Sequence, residues 1–341
     1  MNQEMSFVKS LIDSYQRTGR QLNLPFASDA EIIKTQSGYA CVTIDTVSEE
    51  IEMGLIQSLE ALGWLTVTAS VSDLAAIGVE TQNVHVAIGW ADDKSELEKL
   101  KIVSGIKASL QKYLIPFFDI SFFESKKLIT SCTAFAETAQ SPKVQRIGMQ
   151  PGDLVFITGP IGWGNAVAFA NLTLGEKAKN FDLNYRPLAR IEDAEFIAKW
   201  ATSAIDTSDG LLFSLDLLQQ LNGNGFQVSY SEHLYHPVAI EVARLTQVNP
   251  FLFMAAQNGE FEILFTVASK NERLFTQAAK ESGKNFIKIG KVTENNTLCF
   301  EVSEKLQTLD LTSIRNLLQE GVDPKNYVLA MLKFASNNRI H

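Results

Sequence analysis

Cysteine is scarce in this chain, and its spacing is uninformative for cross-linking. Cys41, Cys132 and Cys299 lie far apart with no Cys-x-x-Cys pair, which argues against both a disulfide framework and a thiolate zinc site. Free thiols in a chain this large fit a reducing compartment. Histidine is equally sparse. Only His233 and His236 approach metal-ligand spacing, and with no other ligand nearby they read as a polar loop before Pro237. Long apolar runs are missing too: nothing approaches the roughly 18 residues of a membrane span. The first thirteen residues carry charges and lack a hydrophobic signal region, so the cytoplasm is the expected location. Basic residues are outnumbered, 30 against 39 acids for a net charge of −9, which disfavours a nucleic-acid backbone as the main partner. Small phosphate ligands stay open, because Mg²⁺ can bridge carboxylate and phosphate.

What is present is an ordinary globular mixture, 45% apolar and 20% charged over 341 residues, enough for two cores. Residues 1–26 read as a helix over 6–15 and a polar arm. Residues 39–46 alternate like a strand, with Asp45 near its end. The Leu- and Ala-rich stretch 55–78 reads as a helix stopping at Gly78, which would set Asp73 inside a mostly buried helix. A strand at 83–90, an amphipathic helix at 94–113 and strands at 115–121 and 127–137 complete a first domain, 27–140. Residues 141–153 form a linker. The second domain, 154–341, opens with a strand at 154–158 and a Gly-rich turn, Gly159 to Gly164, ahead of a helix at 165–174. Helices at 187–202, 210–222, 238–246 and 271–282 then alternate with strands at 226–230, 260–268, 285–292 and 297–302. Two helices end the chain.

The stretch Ala204-Ile-Asp-Thr-Ser-Asp-Gly-Leu211 sets two carboxylates and two hydroxyls ahead of an apolar helix. Ser and Asp there are also ordinary N-cap residues, so the stretch alone does not decide between capping and chemistry. Further acids sit at element ends or buried positions: Asp29, Asp45 and Asp73. Each has its own structural use as a turn residue, strand end or cap. Gathered in space, they would form a negative cluster tolerable only around hard cations. An all-oxygen donor set points to Mg²⁺ rather than zinc.

Five segments occur in one order: Asp45-Thr46, Gly63-Trp64, Ser72-Asp73-Leu-Ala-Ala-Ile-Gly78, Arg146 with Pro151-Gly-Asp-Leu-Val-Phe-Ile-Thr-Gly159, and Asp206-Thr-Ser-Asp-Gly-Leu211. That order, from about Asp29 to Val302, resembles thiamine-monophosphate kinase and its relatives of the aminoimidazole ribonucleotide synthetase (PurM-like) superfamily. The resemblance implies a two-domain α/β (α+β) fold with a C-terminal α/β domain. It also implies a homodimer whose N-terminal sheets meet as a barrel, and ATP held as co-substrate with several Mg²⁺ ions. By position, Asp29, Asp45, Asp73, Asp206 and Asp209 match metal carboxylates, with Asp45, Asp73 and Asp209 expected at the chemistry. Thr43 matches a ligand at the strand end and is grouped with Arg146 and Ser208 as nucleotide contacts.

Three departures stand out. The family's Gly-Gly-Asp-Thr reads Phe117-Phe-Asp-Ile-Ser121, leaving Asp119 as a stand-in only if the register shifts. Its His-Phe reads Glu52-Met53, and its Glu-Asp-Tyr-Glu reads Gly259-Glu-Phe-Glu262. Glu52, Asp119 and Glu260 are therefore the expected acceptor-facing residues of an altered site. The implied activity is an ATP- and Mg²⁺-dependent phosphotransferase converting thiamine monophosphate to thiamine diphosphate, with the acceptor open to change. A same-fold enzyme activating a carboxylate or amide oxygen, and a non-catalytic member, are the alternatives.

Overall fold

Two glycines set how the first half of the chain packs. A Cβ at Gly63 would lie 2.0 Å from the Ile102 carbonyl oxygen, and one at Gly105 would lie 2.0 Å from that of Glu60. Their helices therefore touch backbone to backbone, which only glycine permits. Gly63→Ala is expected to cost about 2–3 kcal/mol through this overpacking, read as a lower midpoint in thermal unfolding.

The computed structural model describes residues 3–13, 19–56, 58–91, 93–180, 183–302, 305–318 and 320–338. It begins with helix α1 (Gln3–Asp13), so positions 14 and 15 of the expected first helix lie outside the described residues. Strands β1 (Glu31–Lys34) and β2 (Tyr39–Val47) follow, then the one-turn α2 (Glu49–Glu52) and α3 (Leu59–Ala76). Next come β3 (Asn83–Ala91), α4 (Glu96–Lys112), β4 (Phe117–Ser125) and β5 (Ile129–Thr138). The five strands form one sheet in the order β1-β2-β5-β3-β4, in which β3 and β4 pair in parallel and the other neighbours antiparallel. Helix α3 starts at an N-cap on Ser58, whose side chain accepts from the Ala61 amide. It is later than expected because the cap, not the apolar run, fixes the start. Helix α3 is buried along most of its length, as the core element covering one face of the sheet.

The second half contains β6 (Leu154–Ile157), α5 (Trp163–Thr173), α6 (Ile191–Trp200), β7 (Ala201–Asp206), α7 (Leu211–Asn222), β8 (Gly225–Ser229), α8 (Pro237–Thr246) and α9 (Phe251–Ala255). It closes with β9 (Ile263–Val267), α10 (Glu272–Glu281), β10 (Ile287–Thr293), β11 (Leu298–Val302), β12 (Lys305–Leu309) and α11 (Pro324–Asn338). Its sheet runs β12-β11-β8-β10-β6-β9-β7. The architecture is thus mixed α/β with two sheets.

Two local expectations are corrected. The helix expected over 187–202 ends at Trp200, and Ala201–Asp206 is an edge strand antiparallel to β9, where pairing overrides the weak local preference of small residues. Of two expected terminal helices, only α11 forms among the described residues; 312–318 are turns. The short strands β1 and β12 and the helix α9 lie in stretches with no clear periodicity, which hides them in the sequence.

Candidate active site

The carboxylates converge because three buried elements end at one place. Strand β2 brings Thr43 and Asp45, the last turn of α3 brings Asp73, and β7 delivers Asp206 at its last residue. Asp29 precedes β1, and the chain before β6 returns Arg146 alongside, its amide donating to the Ala27 carbonyl at 2.8 Å. Asp29, Asp73 and Asp206 each offer an oxygen within 4.8 Å of the others, and all three are buried.

Such a cluster of acids out of water is costly unless it is neutralised. Two devices relieve it in part. Arg146 donates from Nε and Nη2 to Asp29 Oδ1 at 3.0 and 2.7 Å. Hydroxyls do the rest: Thr43 Oγ1 donates to Asp73 Oδ2 at 2.5 Å, and Ser208 Oγ to Asp206 Oδ1 at 2.8 Å. What remains is unsatisfied. Asp29 Oδ2, Asp45 Oδ2 and Asp206 Oδ2 are buried without a hydrogen-bond partner. Burial pushes the Asp29 and Asp45 carboxyls up to about 6, with the Asp206 charge adding to both. Asp73 is raised well above the usual carboxylate range, first by burial and then by Asp45, Asp206 and Asp29. Asp206 is raised too, again mainly by burial. Asp29, Asp73 and Asp206 offer oxygens close together, two of these acids keep an unpartnered oxygen, and this donor set fits a hard divalent cation; Asp45 lies outside that group of three.

A cavity of about 300 Å³ opens beside this cluster. Its walls include Asp45, Asp73, Arg146, Ser208 and Asp209 on one side and Met53, Gln257, Asn258 and Phe261 on the other. Asp209 is exposed at the cavity, outside the three-carboxylate group.

The acceptor-facing expectations land elsewhere. Glu52 is exposed at the end of α2 and pairs with Lys127; the cavity is lined instead by its neighbours Glu50 and Met53. Asp119 is exposed on the edge strand β4, paired in register with exposed His85, while neighbouring Val84 and Val86 are buried. Its own side chain binds the Ile120 amide at 2.9 Å. Glu260 is buried and Oε1 accepts from the Gly162 amide at 2.6 Å, at the start of α5, which has no side-chain cap of its own. Burial raises Glu260 well above the usual range. Glu262 pairs with Arg190 and accepts from Thr158 Oγ1, tying β9 to β6 and to the start of α6. The Gly-Glu-Phe-Glu stretch thus spends its acids on helix capping and an internal ion pair. Sequence reasoning missed Gln257 and Asn258; their only signal is a pair of carboxamides directly before Gly259.

The Arg146–Asp29 pair yields a direct test. Arg146→Met leaves the Asp29 carboxylate buried and uncompensated, a loss of about 3–5 kcal/mol at pH 8. The thermal midpoint should fall by on the order of 10 °C. Adding Asp29→Asn should recover a large part of it, whereas additive losses would show that the pair is not coupled.

Comparison with known proteins finds relatives of the same fold. Residues 27–137 match the model of the AIR synthase related protein N-terminal domain. Thiamine-monophosphate kinase of Pyrococcus horikoshii is 25% identical over 303 residues, covering 86% of this chain and 92% of the relative. That of Aquifex aeolicus is 26% identical over 233 residues, covering 66% and 74%. Among solved structures, a ThiL protein complexed with AMPPCP and TMP superposes with a TM-score of 0.71 at 23% identity, covering 90% of this chain and 96% of that one. The hydrogenase maturation protein HypE of E. coli superposes at 0.65 with 15% identity, covering 81% and 87%. The chain has the two-sheet α/β, PurM-like fold of these solved structures, with an AIR synthase-related stretch over 27–137. Over most of its length its sequence is similar to thiamine-monophosphate kinases. No helix among the described residues is long and apolar enough to cross a membrane.

Proposed function

We propose that this protein transfers the γ-phosphoryl group of ATP to the phosphate of thiamine monophosphate, releasing ADP and thiamine diphosphate. The observation that carries this reading is the buried carboxylate cluster with orphaned oxygens beside a cavity of about 300 Å³, the lower end of ligand-site volumes. Asp29, Asp45, Asp73 and Asp206 are the residues that would hold Mg²⁺, with Asp209 at the mouth. When bound, Mg²⁺ neutralises phosphate charge and orients the reacting groups.

The chain's own residues have defined tasks in this reading. Arg146 balances Asp29 while keeping part of its guanidinium at the cavity, where it can meet a nucleotide phosphate bidentately. Thr43 and Ser208 each donate to one oxygen of Asp73 and Asp206, which helps to orient those carboxylates. The acceptor is already a phosphate oxyanion, so positioning and charge neutralisation suffice without a protein nucleophile.

We also assign 27–140 and 154–341 as the two domains, with 141–153 as the linker, and a homodimer formed through the first sheet. Support for the dimer is the apolar side chains on the face of that sheet away from α3: Ile44 is 67% exposed and Phe123 49%. Light scattering after gel filtration should give twice the chain mass of 37.7 kDa, and Ile44→Glu with Phe123→Glu should give the single mass. Calorimetric titration of ATP with Mg²⁺ tests the nucleotide site; no binding in the presence of Mg²⁺ would overturn the enzymatic reading.

A further inference from the structure

The cavity wall beside the Asp206–Gly210 turn carries a group that neither the metal nor the nucleotide reading uses. Gln257 is buried, 7% exposed, lines the cavity, and its Oε1 has no hydrogen-bond partner. Its backbone is held firmly. The Gln257 amide donates to the Tyr327 hydroxyl at 2.8 Å, the Asn258 amide to Asn165 Oδ1 at 2.7 Å, and the Gly259 amide to the Ser208 carbonyl at 2.8 Å. Helices α11 and α5 and the Asp206–Gly210 turn thus pin three consecutive residues. A buried carboxamide oxygen without a protein partner, on a backbone pinned in that way, is open to a hydrogen-bond donor from a ligand. Phe26, Met53 and Phe261 line the same cavity and offer it apolar side chains suited to a flat ring.

We infer that Gln257 is a specificity-determining residue. Its Oε1 accepts a hydrogen bond from an N–H group on the acceptor, whose ring lies against Met53 and Phe261. This rests on the phosphotransferase reading above and deepens it. Thiamine monophosphate meets the requirement through the exocyclic amine of its aminopyrimidine ring. The phosphate end then faces the carboxylate cluster, where the phosphoryl group arrives.

The test compares thiamine monophosphate with its analogue lacking that amine, in coupled ADP-release assays. With the wild-type protein, kcat/KM for the analogue should be lower by about 10- to 100-fold, because the buried oxygen is left unpaired. Gln257→Leu and Gln257→Met should each erase this discrimination by raising KM for thiamine monophosphate, with KM for ATP unchanged. A purely structural role would depress both acceptors equally and keep their ratio. If the wild type does not discriminate, or if either variant keeps the full ratio, the assignment of Gln257 is overturned while the phosphotransferase reading stands. If thiamine monophosphate is not phosphorylated at all, both are overturned.

Discussion

Asp73→Asn is expected to reduce Mg²⁺-dependent ADP formation by at least about 10³-fold, the scale on which charge-positioning groups act in phosphoryl transfer. The protein should nevertheless be more stable than the wild type in Mg²⁺-free buffer at pH 8. The two effects have one cause. Asp73 is buried against Asp29, Asp45 and Asp206, and it is held well above the ordinary carboxylate range, so the charged form is unwelcome until a cation arrives. An amide keeps the shape, and its oxygen can still accept from Thr43 Oγ1. It removes one member of a repelling set. Lost activity with an unchanged or raised thermal midpoint is the expected pair of results. A mutant that loses both would place Asp73 in the structure of α3 rather than in the chemistry.

Without Mg²⁺, stability is expected to fall as pH rises from about 4 to above 6. Asp29 and Asp45 have folded-state values of about 6 against an ordinary 3.8. Between those values the folded protein binds more protons than the unfolded chain, so stability decreases with pH across that window and levels off above it. A displacement of that size corresponds to roughly 2–3 kcal/mol for each acid, and because the acids are coupled the sum is smaller than two independent contributions. Mg²⁺ reverses the trend: its stabilisation is small at pH 5, where it must displace protons, and grows toward pH 8. At 100 times its dissociation constant the ion would contribute about 2.7 kcal/mol. Thermal midpoints measured from pH 5 to 8, with and without Mg²⁺, check this. Curves that rise in parallel with pH, the usual behaviour of ion-paired acids, would contradict it.

Much of the site is legible in the sequence, for a physical reason. An aspartate inside a mostly buried, largely apolar helix is a placement that folding alone does not favour, so Asp73 stands out. Asp206 stands out through the order of the motifs, because acids ahead of a helix are also ordinary caps. The Arg146–Asp29 pair is not legible, because residues 117 positions apart reveal no contact in a single sequence. Strand β7 escapes notice since Ala201–Ser203 carry no β-branched apolar residue, and their strand character comes from pairing with β9. Glu52 is expected at the acceptor because its position differs from the related kinases. The one-turn α2 rotates it outward to Lys127 and leaves Met53 buried at the cavity, a facing that spacing alone does not resolve for so short an element. Glu260 misleads for another reason: a buried acid can cap a helix as well as bind a ligand.

Ala204–Leu211 admits both a capping and a chemical reading, and the structure sets the capping one aside. Asp206 ends an edge strand with one oxygen tied to Ser208 and the other orphaned, while α7 starts after Gly210 without any side-chain cap. The acid is thus left for the cavity rather than consumed by the helix.

The most direct measurement is product identification from ATP, Mg²⁺ and thiamine monophosphate with the purified protein. The account predicts stoichiometric thiamine diphosphate and ADP, dependent on Mg²⁺ and absent with Asp73→Asn. ATP binding without any thiamine diphosphate would contradict it.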